Sequence, residues 1–294
     1  MAGEDGVGDD HDRSDAGGGD DGGPVLVVGG TGRVGAAVAR LLSERGHAVR
    51  VAGRAAEVRV DHDDPASYAP ALVGVSTVFA ALPDRPDAAA VEARLHAAAA
   101  EAGVGKVVKL SAASAGWRPP ASFGVAHRQG EQTLASSPMR WTILRPTVFQ
   151  ETIAIFGQDA VRGRLVVPRC RDRVAFVSVD DIAEVAVEAL TRADLDGATL
   201  ELTGPEALSF DDVAAALGRT LGRRVRHVAV PRPIARRVLP LVAGLSRWEA
   251  GQVVDLFAGL DAGRQRRVTD DVSMVLGRPA SPLGDRLGAL VGAS

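Results

Sequence analysis

The sequence predicts an α/β protein: a doubly wound parallel sheet, followed by a smaller, mostly helical C-terminal region. Three observations predict it. A short apolar run, Val25 to Val28, stops at a cluster of glycines and leads at once into an amphipathic stretch. Strand-like and helix-like runs then alternate to about residue 145 with no hairpin signal between them, as crossover helices between parallel strands require. Beyond Pro146 the alternation loosens, and from Pro233 the chain reads as helix after helix.

The glycine cluster is Gly29-Gly30-Thr31-Gly32-Arg33-Val34-Gly35, a G-x-x-G-x-x-G spacing between strand and helix. Each glycine has a steric reason. Gly29 turns the chain sharply out of the strand, Gly32 lets backbone approach a pyrophosphate, and Gly35 lets the helix sit close to the sheet. Free N–H groups and the positive dipole end of the helix then face the phosphates. The spacing differs from G-x-G-x-x-G, but with a strand before it and a helix after it the cluster predicts the turn of a Rossmann-type dinucleotide site.

The elements follow in order. Strand 25–28 leads to a helix over 33–45, which Gly46 ends. Strands come next at 48–52 and 57–60, then a short helix over 65–72 and a strand at 77–81 stopped by Pro83. An alanine-rich helix over 86–102 precedes a strand at 106–110. A helix over 123–136 and a strand at 141–144 complete the first part. Further strands are expected at 164–167, 174–179, 199–202 and 225–230. Asp180 or Asp181 is expected to cap a helix reaching about Leu190, and Ser209 one reaching Leu221. The last helices are placed at 233–243, 246–261, 269–276 and 282–291. The expected division is an acidic tail without structure over 1–23 and a cofactor-binding domain over 24–150, joined by 172–202. A substrate-binding lid region comprises 151–171 and 203–294.

Composition narrows the function. The first 23 residues hold eight acids and one base, Arg13, too polar to offset ordering entropy. The remaining residues carry a net charge of +4, which gives no case for nucleic acid. Cys170 is the single cysteine, so neither an intramolecular disulfide nor a cysteine metal cluster is expected. No apolar run reaches membrane-spanning length and the N-terminus is unlike a signal peptide. A cytoplasmic protein without nucleic-acid, membrane or metal partners is expected. Monomer and homodimer both fit.

The residue after the second strand meets the adenosine ribose in this architecture: an acid there selects NAD, a base NADP. Here the strand ends at Gly53-Arg54, and Arg33 lies within the glycine turn. Two arginine forks suit a 2′-phosphate, so NADPH is favoured and NADH is the alternative. Asp61 stands where it could accept a hydrogen bond from the adenine amino group, or cap the helix before Pro65.

Several stretches resemble the NmrA-like group of atypical short-chain dehydrogenases/reductases: GGTGRVG at 29–35, KVVKLSA at 106–112, HRQGE at 127–131, WTILRPTVFQE at 141–151, FVSVDDIAEVA at 176–186 and LTGPEALSF at 202–210. The resemblance covers about residues 24 to 290. It implies a nicotinamide site at the C-terminal edge of the sheet, with Leu82 and Pro83 bordering the cofactor. It also implies Ser111 at the nicotinamide and Pro146, Thr147, Val148 and Phe149 on its carboxamide side. The chain departs from ordinary short-chain reductases in one respect. Their proton relay is a tyrosine and a lysine four residues apart, whereas Tyr68 is the single tyrosine here and the two lysines are Lys106 and Lys109. His127 to Glu131 stand at the corresponding helix.

Three functions follow from that gap. In a ketoreductase of large aromatic, polyketide-type substrates, His127 donates the proton, Glu131 one turn on steadies the imidazole, and Ser111 or Ser114 binds the carbonyl oxygen. A quinone or dye reductase needs no relay, because its product takes protons from water. A non-catalytic NADP sensor binds cofactor without turnover. Trp248, Phe257 and Leu260 read as core or lid packing.

Overall fold

The structure, a computed structural model, describes residues 22–156, 160, 162–285 and 287–288. The acidic tail lies outside the described residues up to residue 21.

Strands β1 (Val25–Val28), β2 (Val49–Gly53), β3 (Val58–Arg59), β4 (Thr77–Ala80), β5 (Lys106–Leu110) and β6 (Arg140–Pro146) join β8 (Thr199–Leu202) in one sheet. The order is β3-β2-β1-β4-β5-β6-β8 and every pairing is parallel. Val25 lies opposite both Val49 and Thr77. All four residues of this central strand are buried, which is why it reads as an unbroken apolar run.

Helices cover both faces. On one side, α1 (Arg33–Glu44) and α6 (Val179–Thr191) close over Val27, Phe79, Val108 and Leu144. On the other, α2 (Tyr68–Leu72), α3 (Ala88–Glu101) and α4 (Ser122–Ala135) cover Leu26, Val78, Val107 and Ile143. Tyr68 is 1% exposed and its hydroxyl bonds Nδ1 of His62 at 3.0 Å. Left-handed glycines end α1 and α3: Gly46 at φ 83° and Gly103 at φ 77°.

The C-terminal part has its own core. A two-stranded parallel ribbon pairs β7 (Arg164–Pro168) with β9 (Arg226–Val230). With α5 (Thr152–Phe156), α7 (Phe210–Thr220) and α9 (Arg247–Asp261) it encloses Leu165, Phe176, Phe210, Leu217, Phe257 and Leu260. Helix α8 (Arg232–Val242) packs on α9, and α10 (Asp271–Leu276) returns to the main sheet's core. Serine caps begin α7 and α9, each in a reciprocal capping box, Ser209 with Asp212 and Ser246 with Glu249. Among the described residues no helix is long and apolar enough to cross a membrane.

Two expectations need correction. Residues 174–179 form no strand: Val174 bridges Leu208, Val177 bridges Phe149, and Ala175 donates to the carbonyl of Gln265. The segment is fully buried, so its apolar character is that of a strand, but its backbone groups go to three partners instead of one ladder. The cap of α6 is Ser178, whose hydroxyl accepts from the amides of Asp180 and Asp181. Asp181 is occupied elsewhere. Its carboxylate accepts from Arg278 and from the amide and hydroxyl of Ser281. Of the helix expected over 282–291, Leu283–Asp285 form a 3₁₀ turn and residues 287–288 are helical; residues 286 and 289–294 lie outside the described residues.

Ser178→Ala removes a buried cap and is expected to cost about 1 kcal/mol, read as a lower urea midpoint with an unchanged slope.

Candidate functional site

The turn after β1 has no room for side chains. Gly29 sits at φ +78°, and a Cβ there would lie 2.0 Å from the carbonyl oxygen of Ala81. At Gly35 it would lie 2.3 Å from the oxygen of Gly29, and at Gly30 2.7 Å from the Val51 side chain. Gly32 is different: it is exposed, and only the Gly29 oxygen comes near, at 3.2 Å. No side chain caps the first turn of α1. The Gly32 amide donates to the carbonyl of Gly29 at 2.9 Å, and the first amides of the helix are the groups that a pyrophosphate cradle uses. Val34 faces inward and is buried in the core.

The Thr31 side chain lies against Gly53 at the end of β2, so the turn and the β2 terminus share one rim. Arg33 and Arg54 on that rim are exposed, and neither pairs with an acid among the described residues. Asp61 accepts from the amide of Asp63 at 3.1 Å. The 3₁₀ turn at Pro65 is capped by Asp64, not Asp61.

A cavity of about 340 Å³ opens at the C-terminal edge of β4, β5 and β6. Leu82, Ser111, His127, Pro146, Thr147, Val148 and Phe149 all line it, with Asp84, Ser114, Leu256 and Gln265. Pro83, Arg33, Arg54, Asp61 and the glycine turn lie outside it. The turn nevertheless adjoins it through Ala81, which touches Gly29 and precedes Leu82. A hollow of about 390 Å³ beside α7, lined by Arg173, Asp212, Arg219 and Pro282, shares none of these residues.

The cavity walls are held by buried charges. Ser111 Oγ donates to Glu131 at 2.6 Å, and Arg145 grips both oxygens of the same carboxylate at 2.8 and 2.6 Å. Burial pushes the Glu131 carboxyl upward. The hydrogen bonds from Arg145 and Ser111, with the charges of Arg145 and Lys109, outweigh it and hold the group below its ordinary value. Glu131 therefore does not steady His127 as the helical spacing suggested, because the Arg145 fork draws it to the strand side. His127 instead places Nε2 3.4 Å from Asp84 and Nδ1 3.8 Å from Glu92. Glu92 is itself paired with Lys109 at 2.6 Å, both side chains buried.

The two serines differ. Ser111 has its hydroxyl engaged. Ser114 is fully buried, lines the cavity, and its Oγ has no hydrogen-bond partner. A buried hydroxyl of that kind is expensive unless something pairs with it. Cys170 is buried, and burial pushes its thiol up to about 11, which rules out a ready thiolate.

Helix α9 clasps the loop that frames the cavity. The Trp117 ring occupies the place of a side chain at Gly259, where a Cβ would lie 2.0 Å from it. Arg264 stacks over the same ring at 5.5 Å. Ser122 donates to Asp255 at 2.8 Å. Phe257 and Leu260 are core residues and Trp248 is half-buried; Leu256 is the residue of this helix that faces the cavity.

Glu92, Lys109 and Arg145 escaped the sequence reading, although each carried a signal. A charge inside an apolar run, as in AAAVEARLHAAAA, KVVKL and WTILRP, needs a buried partner.

Fold and glycine turn together define an NAD(P)-type dinucleotide-binding scaffold with a cavity at the sheet edge. The chain belongs to the NmrA-like family, whose model matches residues 22–270. An NAD(P)H azoreductase of Xenophilus azovorans is 34% identical over 87% of this chain and 94% of its own length. A (4-alkanoyl-5-oxo-2,5-dihydrofuran-3-yl)methyl phosphate reductase of Streptomyces griseus is 33% identical over 89% and 95%. In fold, an Escherichia coli NADPH-dependent quinone oxidoreductase solved with NADPH superposes with a TM-score of 0.82. It covers 90% of this chain and 99% of its own, at 22% identity.

Arg145→Met leaves Glu131 buried without its cation and is expected to cost about 3 kcal/mol at pH 7. The native pair's stabilisation is present above the ordinary glutamate range and is lost as pH falls through the depressed value. The gap between wild type and variant should therefore narrow below about pH 4.5, measured by denaturant unfolding across pH.

Proposed function

We propose that the protein is an NADPH-dependent reductase acting on the carbonyl of a large, flat aromatic substrate of the polyketide type. The single observation that carries this reading is the cavity wall. An unpartnered buried hydroxyl, Ser114, and a histidine, His127, face one hollow at the sheet edge. The adjoining glycine turn fits a dinucleotide: a cradle at Gly32, an uncapped helix start, and two exposed arginines for a 2′-phosphate.

When bound, NADPH supplies hydride. The chain's residues do the rest. Gly29, Gly30, Thr31, Gly32, Arg33, Val34 and Gly35 would bind the pyrophosphate through backbone, with Arg33 and Arg54 on the 2′-phosphate. Asp61 would meet the adenine. Leu82 and Pro83 would border the cofactor, and Pro146 to Phe149 its carboxamide side. Ser111 is better suited to shaping the wall than to chemistry, since it already donates to Glu131. Ser114 would donate to the substrate oxygen and His127 would deliver the proton that the nascent alkoxide needs. Leu256 and Phe149 exclude water on the apolar side.

A second reading is a quinone or azo reductase, favoured by the azoreductase relative. It requires the same cofactor site and leaves His127 dispensable.

Purified protein is tested for NADPH oxidation with polycyclic aryl ketones, quinones and azo dyes. Saturable oxidation with a ketone and recovery of the alcohol is expected; turnover with quinones or dyes alone selects the second reading, and tight NADPH binding without turnover leaves a sensor. His127→Ala is expected to lower ketone turnover about a hundredfold, and an unchanged rate removes it from proton delivery. Arg54→Ala should weaken NADPH about tenfold more than NADH, measured by fluorescence titration of both; equal losses place the 2′-phosphate elsewhere.

A further inference from the structure

Behind the cavity wall, three elements bring together groups that, His127 apart, the reductase reading leaves unused. Glu92 of α3 is 2% exposed. Its Oε1 accepts from Nζ of Lys109 of β5 at 2.6 Å, and its Oε2 is buried with no hydrogen-bond partner. The carboxylate sits in a notch on α4: a Cβ on Gly130 would lie 1.2 Å from Oε2. Nδ1 of His127, also on α4, is buried and unpartnered, 3.8 Å from Oε1. The unpartnered Nδ1 thus stands just beyond hydrogen-bond length from the Lys109-bound oxygen of a carboxylate whose other oxygen is also unpartnered, a separation that small rotations close when a site fills.

We propose that Glu92 is a positioning residue for His127: its carboxylate, neutralised by Lys109 and seated in the Gly130 notch, holds the imidazole with its proton on Nδ1 and turns Nε2 toward Asp84 at the cavity mouth. The reason is electrostatic. A bare Nδ1 lone pair facing a carboxylate repels it, whereas Nδ1–H attracts it; Asp84 exerts the same pull on Nε2, but water screens a carboxylate that is 61% exposed far more than one that is 3% exposed. The second nitrogen is thereby left to exchange protons with solvent and to deliver them inward. Asp84, on the loop after β4, is 61% exposed and lies 3.4 Å from Nε2, which connects that nitrogen to water. The other groups around the device do not compete for Nδ1. Phe123 meets the ring edge-on at 6.3 Å. Arg128 donates to the Ala115 carbonyl. His96, one turn along α3 from Glu92, is driven down to about 3 by burial and by Lys109, and so stays neutral. Lys109 is what makes the arrangement affordable, because an uncompensated buried carboxylate would not remain ionised.

The proposal rests on the reading of His127 as proton donor for its functional meaning, but its structural content is tested independently. Imidazole nitrogen shifts of ¹⁵N-histidine protein are recorded with and without NADPH, His127 being assigned by its loss in His127→Ala. Neutral His127 is expected as the Nδ1–H tautomer in the wild type, and as predominantly Nε2–H in Glu92→Gln. Gly130→Ala, which displaces the carboxylate but keeps its charge, should give the same change. An Nε2–H wild type, or a tautomer indifferent to Glu92→Gln in folded protein, overturns the proposal; the wild-type spectrum decides even if both variants fail to fold. In ketone reduction, Glu92→Gln should lower kcat more than about tenfold with KM unchanged, as a wrong tautomer does, with partial rescue by Glu92→Asp. The expected tautomer change with unaltered rates in both Glu92→Gln and His127→Ala would support the positioning and overturn the donor reading alone.

Discussion

Contact between backbone and backbone at Gly29, Gly35 and Ala81 sets where everything else in this molecule can stand. With no side chain between them, the start of α1 is pressed against the turn that leaves β1, and that turn against the residue that follows β4. That closeness fixes the helix start relative to the sheet edge. It also makes the loop at Leu82 the neighbour of the glycine turn, so that the cavity beyond it continues the same strip of surface. A methyl group at Gly29 or Gly35 would have to displace main chain, which no rotamer change can relieve.

The second governing feature is the distribution of charge inside a mostly apolar frame. Strands β5 and β6 carry Lys109 and Arg145 where their neighbours are aliphatic, and the helices above supply Glu92 and Glu131. Each pair is costly to desolvate and strongly destabilising to break, so the two together tie α3 and α4 to the sheet at defined positions. His127 and Ser111, which face the cavity, are placed by those pairs. Shape at the site thus depends on ion pairs on its far side, while the cavity surface itself keeps the unpaired hydroxyl of Ser114.

The fold was legible because its signals are local. An apolar run ending in glycines, helical stretches ended by glycine, and Ser-x-x-Asp or Ser-x-x-Glu caps each express their geometry within a few residues. Residues 174–179 misled because strand-like composition reports burial, and burial there comes from crossing three partners. Asp181 misled for a related reason: Arg278 and Ser281 claim it from nearly a hundred residues away, leaving the cap to Ser178. Around the cavity, Ser111 and His127 were visible from their motifs, and the structure puts both on its lining. The pairing of Glu131 was not, since i, i+4 spacing places two side chains on one helix face without saying that a strand arginine will take one of them. Glu92 and Lys109 lie 17 positions apart, and only the layering of α3 on β5 makes them partners.

The chain contains two lysines, and both are in β5. Lys106 is 2% exposed and donates to the carbonyl of Arg192, and Lys109 is 1% exposed. The folded surface therefore offers arginine for its positive charge and no lysine ammonium. An amine-selective reagent meets a lysine only when β5 parts from its covering helices. Lysine labelling thus becomes a chemical clock for opening of the central sheet, with essentially no background from the native state to subtract.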